Sequence, residues 1–256
     1  MFNARYFEYD GQPSEEYGLQ IVDFDENSVR EADAISLTLS LQKIPGLVRF
    51  FHGGVEYDSA PTCEFCVLRQ EEINASQRSA ILAWLVGRKE FKALKFKGGD
   101  NDDLTYYCVF TSAKNVWING RCYGFRLTAQ FDSPFARGRT IVKRTVAGEH
   151  TITINNESGI IDDYTYPIVE FKGSSIDVVN MTDDSQRHFT FSGLEANETI
   201  LVDNEVNHIS SSMGGEKLSN FTSKNWLRLR RGNNELKIVS SGAVTIVCPQ
   251  YVMIGY

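Results

Sequence analysis

Apolar and polar residues alternate along most of this chain in short runs, and that period of two restricts it to strands with one wet face. The cleanest run is Ile-Ser-Leu-Thr-Leu-Ser-Leu-Gln over residues 35–42. A second covers 123–131, where Tyr123, Phe125, Leu127, Ala129 and Phe131 share a face opposite Arg126, Thr128 and Gln130. Asn119-Gly120 lies between Val116-Trp117-Ile118 and Cys122-Tyr123. Both members of that pair tolerate positive φ, so it predicts a tight β-hairpin.

One segment breaks the period. Ala80, Ile81, Trp84 and Leu85 fall at helical spacing and predict a helix over 75–87. Asn74 or Ser76 supplies its N-cap, and Gly87, followed by Arg88 and Lys89, its stop. Such a stripe lies on a sheet face, with Trp84 in the core rather than serving as a ligand platform.

After a boundary at Pro134–Gly148 the chain reads as strands only, at 150–154, 168–171, 199–202, 226–230, 235–239 and 244–248. Turn residues such as Asp203-Asn204, Gly214-Gly215 and Ser241-Gly242 punctuate them, the pattern of a β-sandwich or barrel. The boundary is basic through Arg137, Arg139, Lys143 and Arg144 and reads as a solvated linker rather than a contact strip. With 256 residues to divide, the expected domains are 1–140 and 141–256. The fold class is mainly β, with a helix and a hairpin in the first half and a β-sandwich in the second.

Between Lys43 and Ser59 the alternation loosens. Pro45-Gly46 and Gly53-Gly54 bracket the apolar run Leu47-Val48-Arg49-Phe50-Phe51. This is either a loop folded back on its own core or an arm that docks on a neighbour, since exposed apolar clusters mark contacts. Arg49, Phe50 and Phe51, together with Trp117, are the candidate interface residues.

Chemistry is harder to find. The five cysteines include one CxxC pair, Cys63 and Cys66, with no further ligands at zinc spacing, and they read as buried thiols. His52, His150, His188 and His208 are scattered, so no nucleophile–base pairing follows from spacing. No nucleophile elbow, phosphate-binding glycine loop or HExxH helix is present. The runs Asp100–Asp103, Asp162-Asp163 and Asp183-Asp184 lack calcium-loop spacing and read as solvated turns. Trp117, Trp226, Tyr164 and Tyr166 are stacking candidates for sugars, with core or rim packing the simpler reading. The expectation is a non-enzyme with no cofactor and no metal. The net charge of −7 disfavours tight binding to a phosphate backbone. The first residues lack the basic-then-apolar order of a secretory signal, and no apolar stretch has the roughly 18 residues of a membrane helix. A soluble protein made in a cytoplasm is expected.

The order of these pieces resembles the distal tail (Dit) protein family of siphophages, the bacteriophages with long non-contractile tails. Tyr17-Gly18-Leu19, strand 35–42, helix 75–87, the Asn119-Gly120 hairpin and the closing Gly124–Leu127 to Asp132–Ala136 carry the likeness in the first half. Asn155–Gly159, Pro167–Phe171, Thr199–Asp203 and Trp226–Asn234 carry it in the second. The resemblance implies a tail-tube-like first domain and a galectin-like second one. It also implies a hexameric ring that joins the tail tube to the tail-tip hub and fibre proteins around a channel for DNA. The protein would be a virion component assembled in the host cytoplasm, without sequence-specific nucleic-acid binding. Six copies would carry about −42 formal charges, and Asp100, Asp102 and Asp103 are the candidates for channel charge. The large inserts by which some relatives bind saccharide have no room here, which weakens a host-recognition role. A carbohydrate-binding module is the alternative.

Overall fold

A computed structural model describes residues 4–22, 37–46, 48–57, 61–99, 101–160 and 163–254. The protein is mainly β, with one α-helix among the described residues. It divides into two compact units, Met1–Ala136 with Met253–Tyr256, and Arg137–Val252.

The first unit contains β1 (Tyr6–Tyr9), β2 (Gln12–Pro13), β3 (Gln20–Val22), β4 (Leu37–Lys43), β5 (Phe50–Tyr57), β6 (Thr62–Leu68), α1 (Ala75–Val86), β7 (Lys92–Lys97), β8 (Tyr106–Ile118) and β9 (Arg121–Phe131). Seven of these strands form one sheet in the order β2-β1-β7-β8-β9-β6-β3. That sheet rolls on itself. Ile21 of β3 donates its N–H to the Arg5 carbonyl beside β1 at 2.9 Å. Phe7 of β1 meets Phe65 of β6 with ring centroids 5.7 Å apart, although three strands separate them along the sheet. The two halves therefore face each other as layers, around Phe7, Tyr9, Phe96, Phe110, Phe125 and Phe131, all buried. Burial of each such ring stabilises the fold by about 1.5–3 kcal/mol.

The local signals are realised in detail. Asn119 (φ 49°) and Gly120 (φ 79°) make the turn between β8 and β9. On β9, Phe125, Leu127, Ala129 and Phe131 are fully buried, while Arg126 and Gln130 are exposed. Asn74 caps α1: its Oδ1 accepts the Gln77 N–H at 2.9 Å and its own N–H donates to Gln77 Oε1 at 3.1 Å. Ile81, Trp84 and Leu85 are buried, whereas Ala80, expected in the same stripe, is exposed; it lies about 100° around the helix from Ile81. Trp84 is core, donating from Nε1 to the Tyr9 carbonyl at 3.1 Å and stacking on Phe7 at 5.6 Å. A late residue completes this unit: Ile254 is 4% exposed within the same core and donates its N–H to the Pro134 carbonyl at 2.9 Å.

The expected linker is largely strand. β10 (Phe135–Arg137) pairs with β20 (Tyr251–Met253), and β11 (Ile141–Thr145) is an edge strand of the second unit. Lys143 and Arg144 on β11 are exposed. The remaining strands are β12 (Gly148–Asn156), β13 (Ile168–Lys172), β14 (Ile176–Asn180), β15 (His188–Phe191), β16 (Thr199–Asp203), β17 (His208–Ser211), β18 (Gly232–Ser240) and β19 (Ala243–Cys248). They form a five-stranded sheet, β11-β19-β13-β16-β17, and a four-stranded one, β12-β18-β14-β15. Alternate residues such as Leu236 and Ile238 of one sheet and Val244 and Ile246 of the other share a single core. Phe171, Phe189, Phe191 and Phe221 lie in that core, the last two stacked at 4.7 Å.

Residues 226–230, expected as a strand, are irregular apart from one bridge between Thr165 and Leu229. Buried asparagines replace the ladder. Leu227 N–H donates to Asn204 Oδ1 at 2.8 Å and Arg230 N–H to Asn234 Oδ1 at 2.9 Å. Asn180 Nδ2 donates to the Arg228 carbonyl at 3.1 Å and Asn156 Nδ2 to the Arg230 carbonyl at 3.0 Å. Backbone groups satisfied in this way need no neighbouring strand.

Candidate assembly surface

β4 and β5 form a two-stranded ribbon of their own, in register from Leu37 against Tyr57 to Lys43 against Phe50, with a bulge at Ser40/Leu41. Among the described residues neither strand joins the seven-stranded sheet. Leu39, Leu41, Phe50 and Phe51 are each more than half exposed. Pleating puts Leu41 and Phe50 on one face, since Lys43 pairs with Phe50, and Phe51 on the other. Both faces of the ribbon thus carry bare apolar side chains, and Val48 and Arg49 at its turn are exposed too. An isolated hairpin is marginally stable in water, and a cluster of this kind marks a contact. Ile35 and Ser36, the first residues of the expected strand, lie outside the described residues.

Trp117 sits on a different element, at the β8–β9 turn. It is 53% exposed beside Ile118 at 44%. The Arg78 guanidinium of α1 lies 5.3 Å from its ring centre, a cation–π contact that holds the indole in place.

One of the acidic candidates takes a task that spacing did not reveal. The Asp102 carboxylate accepts the Gly99 N–H at 2.8 Å and the Gly98 N–H at 3.2 Å, closing the loop between β7 and β8. Those two donors hold its carboxyl below the usual range. Asp103 is exposed beside it, and Asp100 lies outside the described residues.

Asp183 overturns the reading of its pair as a solvated turn. It is 3% exposed and accepts from Arg228 Nε at 2.7 Å and Nη2 at 3.2 Å. Only Asp184 is exposed, bonded to Arg230 at 2.8 Å. Glu198 was not singled out by the sequence and is also buried, held by Lys217 at 2.8 Å and by the Ser211 hydroxyl. Lys217 lies nineteen residues away in a turn, so no local pattern announces the pair. Asp162 lies outside the described residues.

The thiols of Cys63, Cys66, Cys108, Cys122 and Cys248 are all free, and burial pushes Cys63 up to about 12. No cluster of metal-ligating side chains occurs among the described residues. His188 Nδ1 contacts Asp177 Oδ2 at 2.9 Å on the surface. The aromatic candidates of the second unit do converge: Tyr166 and Trp226 border one cavity, and Tyr164 lies under Arg228, 3.9 Å from its Cζ. No helix among the described residues is long and apolar enough to cross a membrane.

Set against known proteins, residues 2–133 match the family model described as phage tail protein N-terminal domain, and residues 137–248 the one described as phage tail C-terminal domain. None of the curated proteins matches by sequence. The structure is similar to the crystal structure of the SPP1 Dit protein (gp 19.1), described as a paradigm of the hub adsorption apparatus in phages infecting Gram-positive hosts. The TM-score is 0.69 at 15% identity, covering 96% of this chain and 98% of that one. It is also similar to a chain of the phage P2 baseplate in its activated conformation with Ca, at a TM-score of 0.53 and 10% identity over 98% of this chain and 99% of that one. The same baseplate with Sr gives a TM-score of 0.52 at 11% identity, over 99% and 100%. The fold is that of a Dit protein along its whole length, and the chain belongs to the phage tail protein family.

Proposed function

We propose that this protein is a distal tail protein: a structural, non-catalytic component that closes into a ring, taken as six copies, between the tail tube and the tail-tip hub. The observation that carries the reading is the β4–β5 ribbon, whose two faces expose apolar side chains that find no cover among the described residues of their own chain. In a closed cyclic assembly such a ribbon has a neighbour to bury it. Residues 1–140 form the ring in this reading, with Arg49, Phe50, Phe51 and Trp117 at the subunit interface. Residues 141–256 form a galectin-like outer domain. Asp102 and Asp103, with Asp100, add negative charge to a channel that DNA traverses without sticking. The protein is made in the host cytoplasm and ends in the virion, with tube, hub and fibre proteins as its partners.

Light scattering across a concentration series tests this first. A species of about 173 kDa, six times 28.9 kDa, is the expected result, either alone or on addition of the cognate tube or hub protein. A chain that stays at 28.9 kDa under all of these conditions sinks the ring.

A further inference from the structure

The two sheets of the second unit end in the edge strands β11, β17, β12 and β15, and β12 is left open. We propose that β12 pairs antiparallel with β12 of a second copy of this chain about a two-fold axis, joining two four-stranded sheets into one. This contact is separate from that of the β4–β5 ribbon, since a two-fold pairing does not relate neighbours around a single cyclic ring.

Sheet edges are normally blunted by shortness, charge or cover, because their free backbone groups recruit other strands. β17 has four residues, and β11 has five, including the exposed cations Lys143 and Arg144. β15 also has four residues and is covered: the Thr190 carbonyl accepts the Thr222 N–H at 2.9 Å, and Phe191 bridges to Phe221. β12 has none of these protections. It runs nine residues, Gly148–Asn156, in unbroken register with β18, without a proline or a bulge. Its one carboxylate, Glu149, is matched by Lys237 at 2.7 Å.

The direction of its backbone groups follows from β18. Met181 N–H donates to the Glu235 carbonyl at 2.8 Å, and Glu235 N–H donates to Thr182 Oγ1 at 3.0 Å, so Glu235 turns both groups to the β14 side. Successive residues of an antiparallel strand turn to opposite neighbours. Asn234, Leu236 and Ile238 therefore bond to β12, through their partners Ile154, Ile152 and His150. Glu149, Thr151, Thr153 and Asn155 aim their N–H and carbonyl groups away from the sheet, and all four residues are exposed. No backbone hydrogen bond among the described residues reaches those groups.

Two copies of this edge fit one another. With Ile152 on the axis, Thr151 of each copy stands opposite Thr153 of the other, and Glu149 opposite Asn155. All four residues are turned outward, so each pair can exchange two backbone hydrogen bonds. Thr–Thr pairs across strands are favourable, and no like charges oppose each other. Asn155 Nδ2 gives one hydrogen to Glu157 Oε1 at 2.7 Å and keeps the other for Glu149 of the second copy. On the opposite face Ile152, half-buried against the core, meets its own symmetry mate and extends the apolar layer.

This self-match selects the occupant and its register. A slip of one residue sets Thr151 against Ile152, whose groups are already bonded to β18, and it turns every side chain to the wrong face. A slip of two in either direction leaves fewer outward-turned pairs. Strand addition draws its affinity from main-chain bonds and its specificity from the alternate side chains, and here both are met by the same nine residues of a second copy.

The test uses the full-length protein carrying Phe50→Ser and Phe51→Ser, so that the ring and this pairing are read apart. Light scattering over a concentration series should show the mass doubling from 28.9 kDa toward about 58 kDa, twice 28.9; a ring that persists in this variant bears on the ribbon alone, and the doubling is then read from the ring. Hydrogen exchange followed by mass spectrometry should show the amides of segment 148–156 slowing at least about tenfold from the dilute to the concentrated end. Thr151→Pro removes an N–H that faces water, a change an edge strand tolerates, and should weaken the dimer at least about tenfold. Thr151→Val keeps the backbone groups and should leave dimerisation within about threefold. The exchange result needs no change in β12, so it decides the matter even where Thr151→Pro folds poorly. A mass that never doubles, doubling without protection of 148–156, or an undiminished dimer in Thr151→Pro overturns the pairing.

Discussion

Arg228 and Asp183 form a two-point ion pair, Nε to Oδ2 at 2.7 Å and Nη2 to Oδ1 at 3.2 Å, with the carboxylate almost wholly out of water. Arg228 holds the Asp183 carboxyl well below the ordinary carboxylate range. The folded value is depressed, so its contribution is complete above the unfolded value of roughly 4 and falls away as pH drops toward the folded one. Asp183→Asn keeps the shape but leaves a partly buried guanidinium unpaired. It should cost about 3 kcal/mol at neutral pH by urea unfolding, and the gap to the wild type should narrow in acid.

The exposed rings of the ribbon allow assembly to be tested apart from folding. Phe50→Ser with Phe51→Ser removes two rings that are 59% and 57% exposed. Stability of the monomer should move by no more than about 0.5 kcal/mol. Oligomer mass, or capture by the tube or hub protein, should fall sharply. Unchanged assembly would remove the ribbon from the interface.

Gly124 lies opposite Leu68 where β6 meets β9. A Cβ there would stand 1.9 Å from the Val67 carbonyl oxygen and 2.8 Å from Leu68 Cδ2. Gly124→Ala must push the two strands apart. The expected cost is about 3 kcal/mol, read as a drop in the urea midpoint with a nearly unchanged slope.

Asp102 and Asp103 are neighbours with different duties. Asp102→Ala frees the Gly98 and Gly99 N–H groups and should lower the urea midpoint by a small but measurable amount. Asp103→Ala should stay within about 0.5 kcal/mol. If both line a channel, charge-neutral Asn at both positions should slow DNA release from particles without loss of ring formation.

What the sequence disclosed follows the range of the interaction responsible. Asn119-Gly120 and the Asn74–Gln77 cap act over a few residues, and both stand where their spacing put them. Alternation in 123–131 identified the buried face of β9, because burial on a strand is a local property. The closure of the rolled sheet through Ile21 and Arg5 is a pairing of edges that no local pattern encodes. The segment 226–230 alternates like a strand, and Leu227 and Leu229 are indeed buried, but asparagines from elsewhere in the chain took its hydrogen bonds. Asp183 looked like a turn residue because its partner lies forty-five positions away. The ribbon's apolar run was visible; that, among the described residues, neither of its strands joins the sheet was not.

The position of Ile254 in the first core sets an order of events during synthesis. The ribosome delivers residues 4–136 early, yet the residue that seals their interior emerges after the whole of 137–252. Until then the nascent first unit keeps a gap in its packing and an unpaired carbonyl at Pro134. The first unit therefore reaches its final packing only after the second has been made, so the two cores are not completed in the order of synthesis.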